Sequence, residues 1–488
     1  MSELEPGQPQ IGVDEWVATA DARDESHRGV LGHLRRRFER VPDLARFGIF
    51  IGLVALIPVL TSDQYILRVS VDTLIFALLV LGLNVVVGWA GLLDLGFVAF
   101  FGIGAYSYAL LSSDQFGIHW EAQFTVPLIV AGTALVGLLL GLASWRLLGD
   151  YLAIVTLFFL QAFVVVTTNG NSISFLGLTP TTDLTGGPNG IAGLDPFTIF
   201  GFQIESLEGY FYLGLVTMTL VIAVLYLAVR SRTGRAWHAL REDSLAAELM
   251  SMPVNRLKLL AFMFGAGIAG LTGTIQAALL GGVFPTSYDV PLLITIYAML
   301  ILGGSGSLAG AVLGAVAINV SLEVLRNPDH ARWLFYSVIL ITLVAKLRPW
   351  WKLAAVLGSL VAFGYTLSAI LGALWPSATG GEAAGGDAIG RGVQSWVVHP
   401  AEHATQIGNF GFVLLIALVL LLTVIKDPWR TVLLVPTIYL AAFEWENLLM
   451  ASFEAQAATR FMLLGALLVV LMAARPHGLV GKTRVEAV

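Results

Sequence analysis

The chain contains no cysteine, and only 12% of its 488 residues are charged, against about 25% in an average soluble domain. Without cysteine there are no disulfides, no thiolate nucleophile and no Cys-ligated metal centre. A net charge of −6 supplies no basic surface, so no nucleic-acid partner is expected. The first 46 residues lack an apolar run. They are therefore read as a polar cytoplasmic tail, with no cleavable signal peptide.

What the chain has instead is hydrophobic residues: 57% of the total, with a mean hydropathy of +0.81. They gather in repeated runs of about 20 residues, the length that spans a bilayer as a helix. The runs do not alternate polar with apolar, which excludes a transmembrane β-barrel. The expected fold is an all-α, polytopic transmembrane helical bundle of about 11–14 membrane segments. Lys and Arg are retained on the cytoplasmic side of a membrane. With the N-terminus cytoplasmic, 22 of the 27 bases fall inside and 5 outside; the reversed orientation inverts that ratio. Two long loops then lie outside. One, 169–207, carries turn signals at Thr185-Gly186-Gly187-Pro188-Asn189-Gly190; the other, 375–409, is rich in Gly, Ala and Ser and reads as a flexible connection.

Between two apolar runs sits "RTGRAWHALREDSLAAELMSMPVNRLK", Arg232 to Lys258, on the inner side. Its Ala, Leu and Glu favour a helix over Gly234–Met250, and Pro253 ends it. A 3.6-residue period gathers Ala236, Ala239, Leu240, Ala246, Ala247 and Met250 on one side. Arg241 and Glu248 fall on the other, with Asp243 as an exception. On periodicity alone, a helix lying in the membrane interface stays open.

The segment "GRAWHALREDSLAAELMSMPVNRLKLLAF" (Gly234–Phe262) resembles the cytoplasmic loop of branched-chain amino acid ABC importer permeases of the LivM type. In the family's order stand "GLNVVVGWAGLLDLGFVAFFGIGAY" (Gly82–Tyr106), "GDYLAIVTL" (Gly149–Leu157), "LTGGPNGI" (Leu184–Ile191), "LGGSGSLAGAVLGA" (Leu302–Ala315) and "RPHGL" (Arg475–Leu479). The resemblance covers about 64–346 and the end from about 460. It implies a permease core over 47–346, a coupling loop over 230–257, and alternating access driven by ATP that partner subunits hydrolyse. The chain itself would then be no enzyme and hold no cofactor. The implied partners are a second, homologous permease of the LivH type, two ATPases of the LivG and LivF types, a periplasmic or lipid-anchored substrate-binding protein, and membrane lipid. The implied location is the inner membrane of a prokaryote. ATPase coupling is assigned to Gly234, Arg235, Ala239, Arg241, Glu242, Asp243, Ala247 and Glu248. A substrate pathway is assigned to Asn84, Asp94, Gly96, Phe100, Gln161, Gln276, Gly306 and Gly310.

Several of these have plain structural readings as well. Asp94 lies in an apolar run, where it caps a helix break after Gly88-Trp89-Ala90-Gly91 or serves a pathway. Gly306, Gly310 and Gly314 form a small-residue row suited to close helix packing. Departures from the family's pattern are Gln161 and Val164, where an acid and then a base are usual, and Ser251 in place of a glycine. The first leaves a urea or short-amide importer open as an alternative. An insertion, 347–459, precedes a terminal helix over 460–488, and Glu323–Pro349 resembles Glu446–Pro476 as a duplicated helix. "HPAEH" (His399–His403) matches a zinc-hydrolase motif without a third ligand. "PHGLVGKT" (Pro476–Thr483) imitates a phosphate loop but lacks its first glycine and the following helix.

Overall fold

The computed structural model describes residues 43–114, 117–143, 150–170, 183–347, 350–375, 392, 395–400, 404–426, 429–449, 452–474 and 478–479. The tail up to residue 42, Arg146, Glu402, His403 and the phosphate-loop look-alike apart from 478–479 lie outside the described residues.

The first apolar run divides into Asp43–Ala55 (α1) and a single turn, Ile57–Leu60, at Pro58. There follow Gln64–Leu83 (α2), extended by a π-helical turn over Asn84–Trp89, then Phe97–Leu111 (α3), Ala122–Ala143 (α4), Asp150–Asn169 (α5) and Leu207–Arg230 (α6). Two short helices, Arg232–Glu242 (α7) and Ser244–Leu249 (α8), lead to Val254–Leu280 (α9). Val290–Gly303 (α10) and Leu308–Val324 (α11) form a hairpin. The remaining helices are Pro328–Lys346 (α12), Trp350–Leu374 (α13), Ala404–Val424 (α14), Trp429–Glu444 (α15) with a π turn at Trp445–Leu449, and Phe453–Ala474 (α16). Among the described residues, eight helices are long and apolar enough to cross a membrane. The chain is a polytopic all-α membrane protein.

Helix starts follow local chemistry. In a bilayer an unsatisfied first-turn N–H has no water to turn to, so a capping side chain matters more than in solution. Asp63 accepts from Tyr65 N at 2.9 Å, Ser206 from Gly209 N at 3.1 Å, Asp289 from Val290 N at 2.7 Å and Ser307 from Gly310 N at 3.1 Å.

α9 and α2 form the centre, with α3, α4, α6, α10 and α11 packed around them in one continuous apolar core. Hydrophobicity does not press helices together within lipid, so close backbone approach does. A β-carbon on Gly104 of α3 would lie 2.2 Å from the Gly270 carbonyl oxygen of α9. Gly310 and Gly314 of α11 meet Gly303 and Met299 of α10 in the same way, as the small-residue row predicts. Gly306 is not part of that row: it lies in the α10–α11 turn at φ +94°.

One end of the core carries small strands. Ser112–Ser113 (β1) pairs with Ile118–His119 (β2), and Phe197–Ile199 (β4) with Phe202–Ile204 (β5). Ile191–Ala192 (β3) pairs with Gly282–Val283 (β6), which fastens the 183–206 loop to the exit of α9. The turn signals at 185–190 become a 3₁₀ turn at Gly187–Asn189. The helices beyond residue 327 keep small clusters of their own around Val397, Phe443 and Trp445, and from them Leu464 of α16 joins the main core. Within 375–409, expected to be a flexible connection, Val397–Pro400 are buried and α14 starts at Ala404. Val398 N there donates to the Tyr439 hydroxyl at 3.2 Å.

Candidate functional site

The charged stretch is two helices, not one. Asp243 breaks it, because its carboxylate accepts from Leu245 N at 2.8 Å and Ala246 N at 3.0 Å and so starts α8. An Asp at such a point competes for the backbone and prefers the cap to the helix interior. The break also resets which side faces inward. Trp237, Leu240 and Ala247 are buried, whereas Leu245, Leu249 and Met250 are 66%, 78% and 76% exposed. Met250, expected beside Ala236 and Leu240, is therefore on the outer surface. Gly234 opens α7 with its N–H on the Ser231 hydroxyl at 3.3 Å, and a β-carbon there would meet the Val229 carbonyl oxygen at 2.3 Å. Arg235 is exposed and donates to the Arg230 carbonyl at 3.0 Å. Glu242 and Glu248 are exposed, and Ala239 is half-buried. Ser251, read in the sequence as a departure from a glycine, sits at φ +61°.

α7 is fastened to three parts of the core. Trp237 Nε1 donates to the Leu257 carbonyl at 2.9 Å, at the start of α9. Its ring stacks on Trp89 with centroids 6.3 Å apart, and Phe264 meets it edge-on. Arg241 points inward: its guanidinium donates to the Gly88 carbonyl in the π turn after α2, and to the Ser305 hydroxyl in the α10–α11 turn at 3.2 Å. These two elements also hold each other. Asn84 Oδ1 accepts from Gly306 N at 2.7 Å, and Trp89 Nε1 donates to Gly306 O at 3.0 Å. Leu479 N donates to Leu302 O at 2.8 Å beside the same turn. The φ of +94° favours glycine at 306, and a β-carbon there would also press on Arg241 Nη1 at 2.6 Å. Arg241 was expected on the outward side, facing a partner. The α7 turn instead carries it into this clasp.

Beyond the clasp, residues 90–96 leave helical geometry before α3 begins at Phe97. Asp94 is buried, and its Oδ1 accepts from Gly96 N at 2.9 Å, so its carboxylate shapes the entry to α3. Tyr297 of α10 brackets it, donating to Asp94 O at 2.7 Å and accepting from Asp94 N at 3.1 Å. Thr156 of α5 accepts from Leu95 N at 2.9 Å. Gly96 permits this approach, since a β-carbon there would be 2.5 Å from Thr156 O. Phe100 is buried against Phe159 at 5.3 Å. The break thus unites Asp94, Gly96 and Phe100. Asn84, Gly306 and Gly310 belong to the clasp and its hairpin. Gln161 is exposed on α5, and Gln276 is half-buried on α9 with its Oε1 unpartnered; neither joins the two groups. Trp89, Trp237, Tyr297 and Ser305 were missed in the sequence. A tryptophan inside an otherwise charged short helix was the available signal for Trp237.

His399 is buried, with Nδ1 on the Val397 carbonyl at 2.8 Å. Among the described residues no group of three metal-ligating side chains occurs, and Glu402 and His403 lie outside them.

Residues 65–347 match the family described as branched-chain amino acid transport system / permease component. The chain is 35% identical over 329 residues to the high-affinity branched-chain amino acid transport system permease protein LivM of Salmonella typhimurium, covering 62% of this chain and 73% of that protein. It is 34% identical over 328 residues to LivM of Escherichia coli, with the same coverage. A more distant relative, the ribose import permease protein RbsC of Escherichia coli, is 22% identical over 312 residues, covering 60% of this chain and 89% of RbsC. No solved structure matches the chain. The matched region ends where α12 ends, so it contains the break, the clasp and α7–α8. The chain belongs to the branched-chain amino acid transport system permease component family.

Proposed function

We propose that this chain is the permease subunit of an ABC importer that takes up branched-chain and related hydrophobic amino acids across a prokaryotic inner membrane. It is a transporter part and not an enzyme; ATP is hydrolysed by separate subunits. A homologous second permease of the LivH type, ATPases of the LivG and LivF types and a substrate-binding protein complete the assembly. The α7–α8 end faces the cytoplasm, in keeping with the distribution of bases, and the β-strand end meets the binding protein. Leu245, Leu249 and Met250, with Arg235, Glu242 and Glu248 around them, form the surface that docks on an ATPase. Apolar anchors within a charged rim suit a transient interface. ATP binding moves α7–α8, and the clasp carries that movement to α2 and the α10–α11 hairpin. The break at 90–96 and the exposed face of α5 with Gln161 lie toward the pathway between the two permeases.

One observation carries this reading. A helix pair exposes an apolar and charged surface while its inward side chains hold the ends of α2, α9 and α10. The test is reconstitution of the full complex with Leu245, Leu249 and Met250 all changed to serine. Uptake of leucine and substrate-stimulated ATP hydrolysis are expected to fall together, with the permease still folded. Wild-type uptake would refute the docking surface. Calorimetry on the binding protein separates branched-chain amino acids from urea or short amides as cargo.

A further inference from the structure

The helices beyond the family-matched region hold a buried acid that the importer mechanism does not use. Glu444, the last residue of α15 before its π turn, is 0% exposed. Among the described residues neither Oε1 nor Oε2 has a hydrogen-bond partner. Its carboxyl fills a notch in α14, since a β-carbon on Gly411 would lie 2.1 Å from Oε1 and one on Gly408 would lie 3.6 Å from Oε2. Leu440 and Leu448 lie against the same two glycines. The sector's buried cation is spoken for: Arg332 of α12 holds Glu446 through two bonds of 3.0 Å, both side chains being 1% exposed. Among the described residues, the other titratable groups packed around the π turn are Tyr336 of α12, Tyr439 of α15 and His399 of the connecting segment, which interact with the Arg332–Glu446 pair, with each other or with backbone. α14 presents glycines to Glu444.

A carboxylate without a cation or an N–H donor is not tolerated in an apolar interior. A bound metal ion would require several oxygen ligands in a shell of about 2.0–2.6 Å. The notch is filled by the carboxyl itself, and the described residues offer no ligand cluster. The remaining ligand is a proton. π turns recur at functional positions in helices, and one begins at the next residue.

We propose that Glu444 is a proton-binding site, a neutral carboxylic acid held between α14 and α15 and open to covalent modification by a hydrophobic carbodiimide. In that reaction the acid's proton passes to one nitrogen of the reagent and the carboxyl oxygen bonds its central carbon. Acyl transfer to nitrogen then leaves a stable N-acylurea. The product carries the whole reagent, with no leaving group and no redox change. Loss of the proton would force α14 off α15, because no described residue donates to a carboxylate in the notch. The proposal does not depend on which substrate the importer carries.

The test uses the full chain in lipid nanodiscs, treated with dicyclohexylcarbodiimide or with a water-soluble carbodiimide and mapped by peptide mass spectrometry. Label is expected on Glu444 from the hydrophobic reagent alone, none on the ion-paired Glu446, and none at position 444 in Glu444→Gln. Infrared difference spectra of wild type minus Glu444→Gln in D₂O give a second measurement, independent of reagent access. They should contain a protonated-carboxyl C=O band. An ionised-carboxylate band in its place would overturn the proposal, and so would protection of Glu444 from the reagent by sodium or potassium ions.

Discussion

In the proposed mechanism Arg241 passes movement of α7 to two other parts of the core, so its removal should separate transmission from docking. Its guanidinium makes one bond to the Gly88 carbonyl and one to the Ser305 hydroxyl, 153 and 64 positions away in sequence. A hydrogen bond to a charged group contributes about 1.5–3 kcal/mol. The guanidinium is half-exposed, so solvent screening reduces the pair to about 2 kcal/mol. That corresponds to about a 30-fold loss in coupling between the α7 and hairpin positions. In Arg241→Ala, assayed in proteoliposomes with the ATPases and binding protein, hydrolysis should continue while leucine transported per ATP falls by up to that factor. Arg241→Lys keeps the charge but cannot fork between two acceptors, and about 1 kcal/mol lost gives a fall of about 5-fold. Docking is unaffected in both, so copurification with the ATPases should be unchanged. A wild-type transport-to-ATP ratio in Arg241→Ala would refute the clasp as a transmission element and leave the docking surface standing.

Other consequences can be measured on the permease alone. Ser251 at φ +61° occupies a conformation that costs a non-glycine residue about 1 kcal/mol, so Ser251→Gly should raise the thermal midpoint in detergent. Gly306→Ala should lower it, because backbone strain costs about 1–3 kcal/mol and the new β-carbon, 2.6 Å from Nη1, displaces Arg241. Arg332→Ala leaves Glu446 buried without its partner and should cost about 3–5 kcal/mol, whereas joint replacement with Met and Leu should recover most of it; thermal unfolding of the two variants compares them. At the β-strand end, the His119 imidazole is held above its usual value of 6.5, first by its hydrogen bond to Asp195 at 2.7 Å and then by that carboxylate's charge, with Asp114 assisting. The link is therefore fully present below the ordinary histidine value and lost as pH rises through the elevated one. After division by the intrinsic exchange rate at each pH, protection of amides over 192–199 should be lower at about pH 8.5 than at about pH 6, and Asp195→Asn should remove that difference in protection.

Much of the fold was legible because lipid reduces the choices: runs such as Ala122–Ala143 and Leu207–Arg230 are long, apolar and bounded by polar residues. The break before α3 was visible in Gly88-Trp89-Ala90-Gly91 with Asp94 inside an apolar run, and the Asp94 side chain does shape that entry. The loop at 183–206 was visible through its glycines. The clasp was not, because each of its bonds joins residues far apart in sequence, and several acceptors are backbone atoms that no side-chain pattern records. Periodicity also assumed one helix from Gly234 to Met250; a single Asp243 cap rotates its second half, which sends Met250 outward. The Arg332–Glu446 pair joins positions 114 apart, one in each of the two segments that resemble each other, at places that do not correspond in that likeness.

At the clasp, three side chains grip peptide atoms: Arg241 takes the Gly88 carbonyl, Asn84 the Gly306 N–H and Trp89 the Gly306 carbonyl. A grip on main chain is blind to what the gripped loop displays, provided the loop keeps its path. Ser305 is the exception, since Arg241 also takes its hydroxyl, so threonine at 305 or 307 should be tolerated while positions 304 and 306 stay glycine. Conservative replacement of Asn84, Trp89 or Arg241 has no such latitude, because each reaches its acceptor or donor with the full length of its side chain.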